Sequence, residues 1–131
     1  MVDHVFLTVS DIELSTSFYE RALAPLGIKE RFDYDGKNGP PGHPDLKGFG
    51  SKGRLYLWLR KGSAGSHAAH IGFVANSRKQ VDAAYHAALA AGATDNGAPG
   101  VRLYYVPRYY AANILDPDGY SIEFVYKNWQ H

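Results

Sequence analysis

Residues 3–28, DHVFLTVSDIELSTSFYERALAPLGI, and residues 70–93, HIGFVANSRKQVDAAYHAALAAGA, carry one pattern twice. His4-Val5-Phe6 stands over His70-Ile71-Gly72 at an offset of 66. Tyr19 stands over Tyr85 and Leu23 over Leu89 at the same offset, and Gly27 pairs with Gly92 after a one-residue gap. A repeat of about half the chain decides the architecture before any single element does.

Within the first copy, residues 2–10 alternate in the manner of a strand. Asp11 is placed to cap a helix. Leu14, Phe18 and Ala22, with Tyr19, Leu23 and Leu26, give that helix an apolar face, and Pro25 and Gly27 end it. Residues 30–35, 46–51 and 54–60 predict three further strands, with a Pro/Gly-rich loop over 36–48. KGSAGS, residues 61–66, has the composition of a flexible link. The second copy repeats the grammar. Residues 68–75 predict a strand, and Ser77 with Gln80 has capping-box spacing. Val81, Ala84, Tyr85, Ala88 and Leu89 form a helical face that stops at Gly92. Strands follow at 101–105, 109–115 and 121–126, the last two joined by the turn Asp116-Pro117-Asp118-Gly119. The expected fold is one α+β domain over 1–131. It holds two βαβββ modules, 1–62 and 67–128, whose sheets curl into one barrel-like concave surface with the helices outside. A ferredoxin-like sandwich is the alternative and needs fewer strands than the pattern supplies.

The 131 residues suit one domain with a real core. Fourteen basic against 13 acidic residues leave a formal charge of +1, with no basic stripe for nucleic acid. Cysteine is absent, which excludes disulfides, thiolate metal sites and a cysteine nucleophile. No run approaches the roughly 20 apolar residues of a membrane span, and MVDHVFLTVSD does not read as a signal peptide. A cytoplasmic location is expected.

Strand alternation sorts the chemistry-bearing residues. His4, Phe6 and Thr8 share one face of the first strand, and Val5, Leu7 and Val9 the other. His70, Gly72 and Val74 oppose Ile71 and Phe73. Ser121, Glu123 and Val125 oppose Ile122, Phe124 and Tyr126. Three strands therefore each present an apolar side and place a His or Glu on the opposite face. Two imidazoles and a carboxylate on the concave side of a duplicated sheet suit a divalent ion: iron, manganese, nickel or zinc. An unpaired carboxylate buried there would be costly, and an ion meets that need. His67 is the rival ligand. His43 lies in the Pro/Gly loop, and His86 on the second helix is expected to face solvent.

The two stretches quoted above, with YYAANILDPDGYSIEFV at 109–125, resemble the vicinal oxygen chelate superfamily, the glyoxalase/bleomycin resistance protein/dioxygenase group. The resemblance covers nearly the whole chain, and the DPDG-x-x-x-E ending is its most specific part. It implies metal ligands at His4, His70 and Glu123. It implies a small-molecule substrate held by Phe6, Tyr56, Trp58, Arg60, Tyr109 and Asn113, with Arg102 and Arg108 at the rim. Glu123, with Tyr105 or Tyr110, is the implied catalytic group. Four-ligand relatives such as glyoxalase I take a further ligand from the strand at 54–60. The inward candidates there, Tyr56, Trp58 and Arg60, include no carboxylate, so the pattern is closer to three-ligand members. The implied activity is a metal-dependent lyase, isomerase, thiol transferase or dioxygenase. The alternative is a non-catalytic sequestering protein of the bleomycin-resistance type. The resemblance implies modules that pair within one chain or are exchanged between chains, and in the exchanged arrangement His4 of one subunit completes a site with His70 and Glu123 of the other. A homodimer with two equivalent sites is expected, since closed two-fold symmetry is common.

Overall fold

The structure is a computed structural model that describes residues 1–66, 68–103 and 108–127. Strand β1 (Val5–Val9) leads into helix α1 (Ile12–Leu23). Three strands follow: β2 (Glu30–Tyr34), β3 (Leu46–Ser51) and β4 (Arg54–Lys61). The second module runs β5 (His70–Val74), α2 (Arg78–Ala90), β6 (Thr94–Asp95), β7 (Gly100–Val101), β8 (Tyr109–Leu115) and β9 (Ser121–Lys127). The strand expected at 101–105 is thus replaced by two short ones, β6 and β7, which both pair with β8. Residues 104–107 of that expected strand lie outside the described residues.

Local chemistry sets the helix ends. Asp11 Oδ1 accepts from the Leu14 N–H at 3.0 Å, the bond that defines an N-cap. The helix tightens into a 3₁₀ turn over Ala24–Leu26 and closes on Gly27, whose φ of 81° is left-handed. Ser77 Oγ accepts from Gln80 N at 3.1 Å, while Gln80 Oε1 accepts from the Asn76 N–H at 2.8 Å. The capping box is therefore present, with its return bond made one residue earlier than usual. Leu14 departs from expectation. It is 51% exposed, and Ser15 takes the buried position on that turn.

The modules share one topology. In sheet one the order is β1-β4-β3-β2, with β1 parallel to β4; in sheet two it is β5-β9-β8-β6, with β5 parallel to β9. The internal repeat is thus a structural repeat. Phe6 pairs with Trp58 where Gly72 pairs with Glu123. No hydrogen-bonded ladder joins β1 to β5 among the described residues, so each remains an edge strand. The two modules expected from the sequence are present, and their sheets do not run into each other as one hydrogen-bonded ladder. Instead the modules meet through their helices and one turn.

The helix-facing residues of both sheets fill one core. Leu7, Val9, Leu57 and Leu59 come from sheet one, and Ile114, Ile122 and Phe124 from sheet two. Phe18, Tyr19 and Leu23 of α1 and Val81, Ala84 and Ala88 of α2 complete it. The Asp116–Gly119 turn then fastens the modules together. Gly119 N–H returns to Asp116 O at 2.8 Å, closing the turn. Across the junction Tyr19 OH donates to Asp116 Oδ2 at 2.5 Å, and Ser10 donates through its N–H and hydroxyl to Asp118. Tyr120 OH donates to Thr8 O at 2.7 Å and accepts from Gly65 N at 3.1 Å.

Burial pushes the Asp116 carboxyl above its ordinary range, against the pull of the Tyr19 phenol and the N–H groups of Tyr120 and Asp118. Burial likewise raises the Tyr19 phenol, with the Asp116 charge adding to it. A carboxyl whose folded pKa is raised stabilises the fold below its unfolded pKa and loses that contribution as pH rises through the folded value. Tyr19 is the side-chain donor that offsets this loss. Tyr19→Phe is therefore expected to cost about 1–3 kcal/mol at pH 7. The cost should be smaller at pH 4, where more of Asp116 is protonated than at pH 7. Urea denaturation at both pH values measures it, and an equal cost at both would show that Tyr19 does not serve an ionised Asp116.

Candidate metal centre

Register places the polar groups of sheet two. The parallel β5–β9 ladder sets His70 beside Ser121 and Gly72 beside Glu123, while the antiparallel β8–β9 ladder sets Asn113 opposite Glu123 and Tyr109 opposite Lys127. Directly paired residues share a face. His70, Tyr109, Asn113, Ser121 and Glu123 therefore converge on the outer face, away from the helices. Ala111 and Val125 on the same face are buried, and Glu123 is only 7% exposed.

A carboxylate held in this way needs partners, and it has them. His70 Nε2 lies 3.1 Å from Glu123 Oε1, and the Tyr109 phenol donates to Glu123 Oε2. His70 Nδ1 lies 2.7 Å from Ser121 Oγ. Lys127 Nζ sits 5.3 Å from the Tyr109 ring centroid and places positive charge over the ring. The group borders an open depression of about 620 Å³, with Gly72, Val74 and Val125 as its apolar walls. A Cβ at Gly72 would meet no atom within 4 Å, so the space beside the carboxylate is clear.

The donor chemistry fits part of a metal site. Two ligands about 2.1 Å from one ion stand about 3 Å apart at a right angle and about 3.4 Å apart in a tetrahedron, a range that holds the His70–Glu123 separation of 3.1 Å. The Ser121 hydroxyl either donates or accepts. It can therefore hold a proton on Nδ1 and leave the Nε2 lone pair to an ion, as outer partners of metal-bound histidines do. His4 is not part of this group. Its Nδ1 lies 2.6 Å from Asp3 Oδ2, and its ring stands perpendicular to that of Phe6 with the centroids 5.5 Å apart, on module one. It borders a different cavity of about 600 Å³ between β1 and β5, together with Tyr56 and Arg54. Among the described residues no three His, Cys, Asp or Glu side chains are gathered to hold an ion. Two members of the expected triad thus meet, and His4 borders a neighbouring cavity that shares Gly72 and Val74 with theirs.

The other expected residues separate by parity. Phe6, Trp58 and Arg60 occupy the outer face of sheet one, and Tyr109 and Asn113 that of sheet two. Tyr110 points to the helix side. There it donates to Asp82 at 2.6 Å beneath the Arg78 guanidinium, and the Asp82 bond raises its pKa ahead of burial. Tyr105 and His67 lie outside the described residues. Arg102 is spent on the carbonyls of Gly97, Ala98 and Gly100 and on Asn113 Oδ1. His43 binds the Pro44 carbonyl, and His86 is exposed as expected. Sequence reasoning placed Ser121 on this face without giving it a role, and missed Lys127. Both lie an even number of residues from Glu123 on one strand, a spacing that marks the shared face.

A family model described as the Glyoxalase/Bleomycin resistance protein/Dioxygenase superfamily matches residues 1–124. The chain is similar to the crystal structure of a glyoxalase/bleomycin resistance protein from Albidiferax ferrireducens. Identity is 28% and the TM-score 0.77, over 96% of this chain and 98% of that one. It is similar to a glutamate-to-glutamine mutant of glyoxalase I from Zea mays, at 25% identity and a TM-score of 0.70, over 95% of this chain and 46% of that one. It shares the fold of a mutant of the fosfomycin resistance protein FosX from Listeria monocytogenes, solved with Mn(II) and 1S,2S-dihydroxypropylphosphonic acid. There identity is 18% and the TM-score 0.68, over 95% of this chain and 88% of that one. No curated protein matches the chain.

Tyr109→Phe removes a donor from a carboxylate that is nine-tenths buried. The expected cost is about 1–3 kcal/mol in metal-free protein, read by urea denaturation. Tyr110→Phe serves as the comparison. Its stability cost should leave the His70 imidazole resonances in place, whereas Tyr109→Phe should shift them.

Proposed function

The chain belongs to the glyoxalase/bleomycin resistance protein/dioxygenase superfamily, and we propose that it is a divalent-metal-dependent enzyme acting on a small oxygen-chelating molecule. In this reading His70 and Glu123 are two protein ligands, and His4 of the partner subunit is the third. One observation carries it: an imidazole nitrogen and a carboxylate oxygen 3.1 Å apart, on an open depression, with the carboxylate buried against Ala111 and Val125. Superfamily members often form dimers. A closed two-fold pair would give two equivalent sites and bring His4 to a face it does not reach within its own chain.

When bound, the ion supplies Lewis-acid polarisation of two neighbouring substrate oxygens. The chain's own residues do the rest. Ser121 orients the His70 ring. Tyr109 holds its proton on Glu123 Oε2 and fixes the carboxylate's rotamer, leaving Oε1 for the ion. Its phenol lines the depression and is available as a proton donor there, in the role that the sequence assigned to Tyr105 or Tyr110. Val74 and Val125 keep the floor apolar. The reaction class, whether lyase, isomerase, thiol transferase or dioxygenase, follows from the substrate. The FosX relative was solved with manganese and a phosphonate diol; at its identity it lends only the fold to this reading.

A metal-free sequestering protein is the second reading, and one fact favours it. Both Glu123 oxygens are already satisfied, by His70 and Tyr109. Metal analysis after reconstitution separates the two. We expect one divalent ion per subunit, lost in His4→Ala, His70→Ala and Glu123→Ala. Absence of stoichiometric metal in the unaltered protein would favour sequestration. Mixing decides where the site lies. A hybrid dimer of one His4→Ala subunit and one Glu123→Gln subunit regains a single complete site if ligands are shared between subunits. It regains none if each chain builds its own. Half-stoichiometric metal in the hybrid is the expected result.

A further inference from the structure

The outer face of sheet one carries a second feature that metal binding does not use. One register row crosses all four strands. Phe6 on β1 lies beside Trp58 on β4, Trp58 opposite Gly48 on β3, and Gly48 opposite Phe32 on β2. At the usual strand spacing this row is about 14 Å wide. Gly48 determines its form. A Cβ there would fall 2.6, 2.8 and 2.9 Å from Cζ3, Cη2 and Cε3 of Trp58. The benzo ring therefore lies over the bare Cα of β3, occupying the place of a side chain. Phe6 and Phe32 on either flank are 44% and 51% exposed. Three aromatic side chains left open in one row form an apolar surface of the kind that marks a binding site.

The next row supplies charge. Arg60 pairs with Thr8, donates from Nε to Thr8 Oγ1 at 2.9 Å, and holds its guanidinium carbon 5.7 Å from the Phe6 centroid. It makes no ion pair among the described residues. Its terminal nitrogens therefore remain for a ligand, already aimed along the edge of the aromatic row. Glu30, the acidic residue of the same parity on β2, is spent on the Gly53 N–H at 2.9 and 3.0 Å. A planar guanidinium fixed by its Nε presents the fork that matches a carboxylate.

We infer that module one holds a subsite for a planar carboxylate. A conjugated or aromatic ring lies on Trp58 between Phe6 and Phe32, and its carboxylate pairs with Arg60. This names a substrate class for the reading above, and rests on that reading only for the claim that the ligand is the substrate. The duplication supports the division of labour. Trp58 stands in module one where Glu123 stands in module two, so one module keeps the donor and the other keeps a ring.

The test is calorimetric titration of the EDTA-treated protein with 2-naphthoate. Cyclohexanecarboxylate serves as an anion without a π face, and 2-naphthol as a planar ring without the anion. We expect 2-naphthoate to bind at least about tenfold more tightly than either. Trp58→Leu, which keeps apolar bulk over Gly48, and Arg60→Gln should each weaken it by about tenfold. Gly48→Ala, which displaces the indole without removing it, should weaken it as well. Equal binding of all three probes would overturn the inference. So would a Trp58→Leu protein that binds 2-naphthoate unchanged, or one that becomes monomeric when no probe binds the unaltered protein, since a second copy would then cover this face. Metal content of the same samples is measured separately. Metal without naphthoate binding sinks the subsite alone, and naphthoate binding without metal sinks the metal reading alone.

Discussion

The buried hydrogen bond between Tyr19 and Asp116 is the constraint on which the arrangement of the two modules depends. Asp116 opens the turn before β9, so whatever fixes it also fixes where β9 begins. Tyr19 reaches it from the core face of α1, and Ser10 takes Asp118 two residues later. Tyr120, at the end of the turn, ties the backbone of β1 to the link between modules. Strand parity has a period of two, so a one-residue slip of β9 would turn Glu123 into the core and expose Phe124. The apolar residues Ile122 and Phe124 oppose that slip by burial. The turn opposes it by geometry.

Much of this was legible in the sequence, because it rests on local rules. Asp11, Ser77, Gly27 and the Asp116–Gly119 turn act within four residues of themselves. Parity within β5 and β9 needs only alternation, and it was enough to bring His70 and Glu123 to one face. The less legible features were those set by contacts between elements. Leu14 and Ser15 have the wrong polarity for the faces they occupy, since the packing of α1 decided their burial. Tyr110 was a candidate equal to Tyr109 on residue type. The β8–β9 ladder separates them, sending one to Glu123 and the other to Asp82. Residues 100–103 look strand-forming, yet Arg102 binds the carbonyls of its own loop, and only two residues there pair with β8.

The assembly of the site is legible at neither level alone. The repeat made His4 and His70 equivalents, and equivalence suggested convergence. Within one chain the modules meet at the turn and the helices, which leaves β1 and β5 as unpaired edges and His4 on its own cavity. Native proteins blunt or cover an exposed edge strand, and β1 and β5 are two of the sheet edges among the described residues. In the proposed dimer, a second copy related by two-fold symmetry would meet both edges with the same contact.

Those halves are no longer alike. The ladder position that holds Glu123 in sheet two holds Trp58 in sheet one, and the neighbouring position that is Gly72 in one is Phe6 in the other. In sheet two the glycine opens space beside a carboxylate. In sheet one a different glycine, Gly48, opens space beneath an indole. The same economy of a missing Cβ serves a polar site in one module and an aromatic surface in the other. Duplication supplied two equivalent floors, and divergence at two ladder positions made one a donor site and the other a stacking surface. In the proposed reading, a ligand that met both would carry oxygens at one end and a flat face at the other.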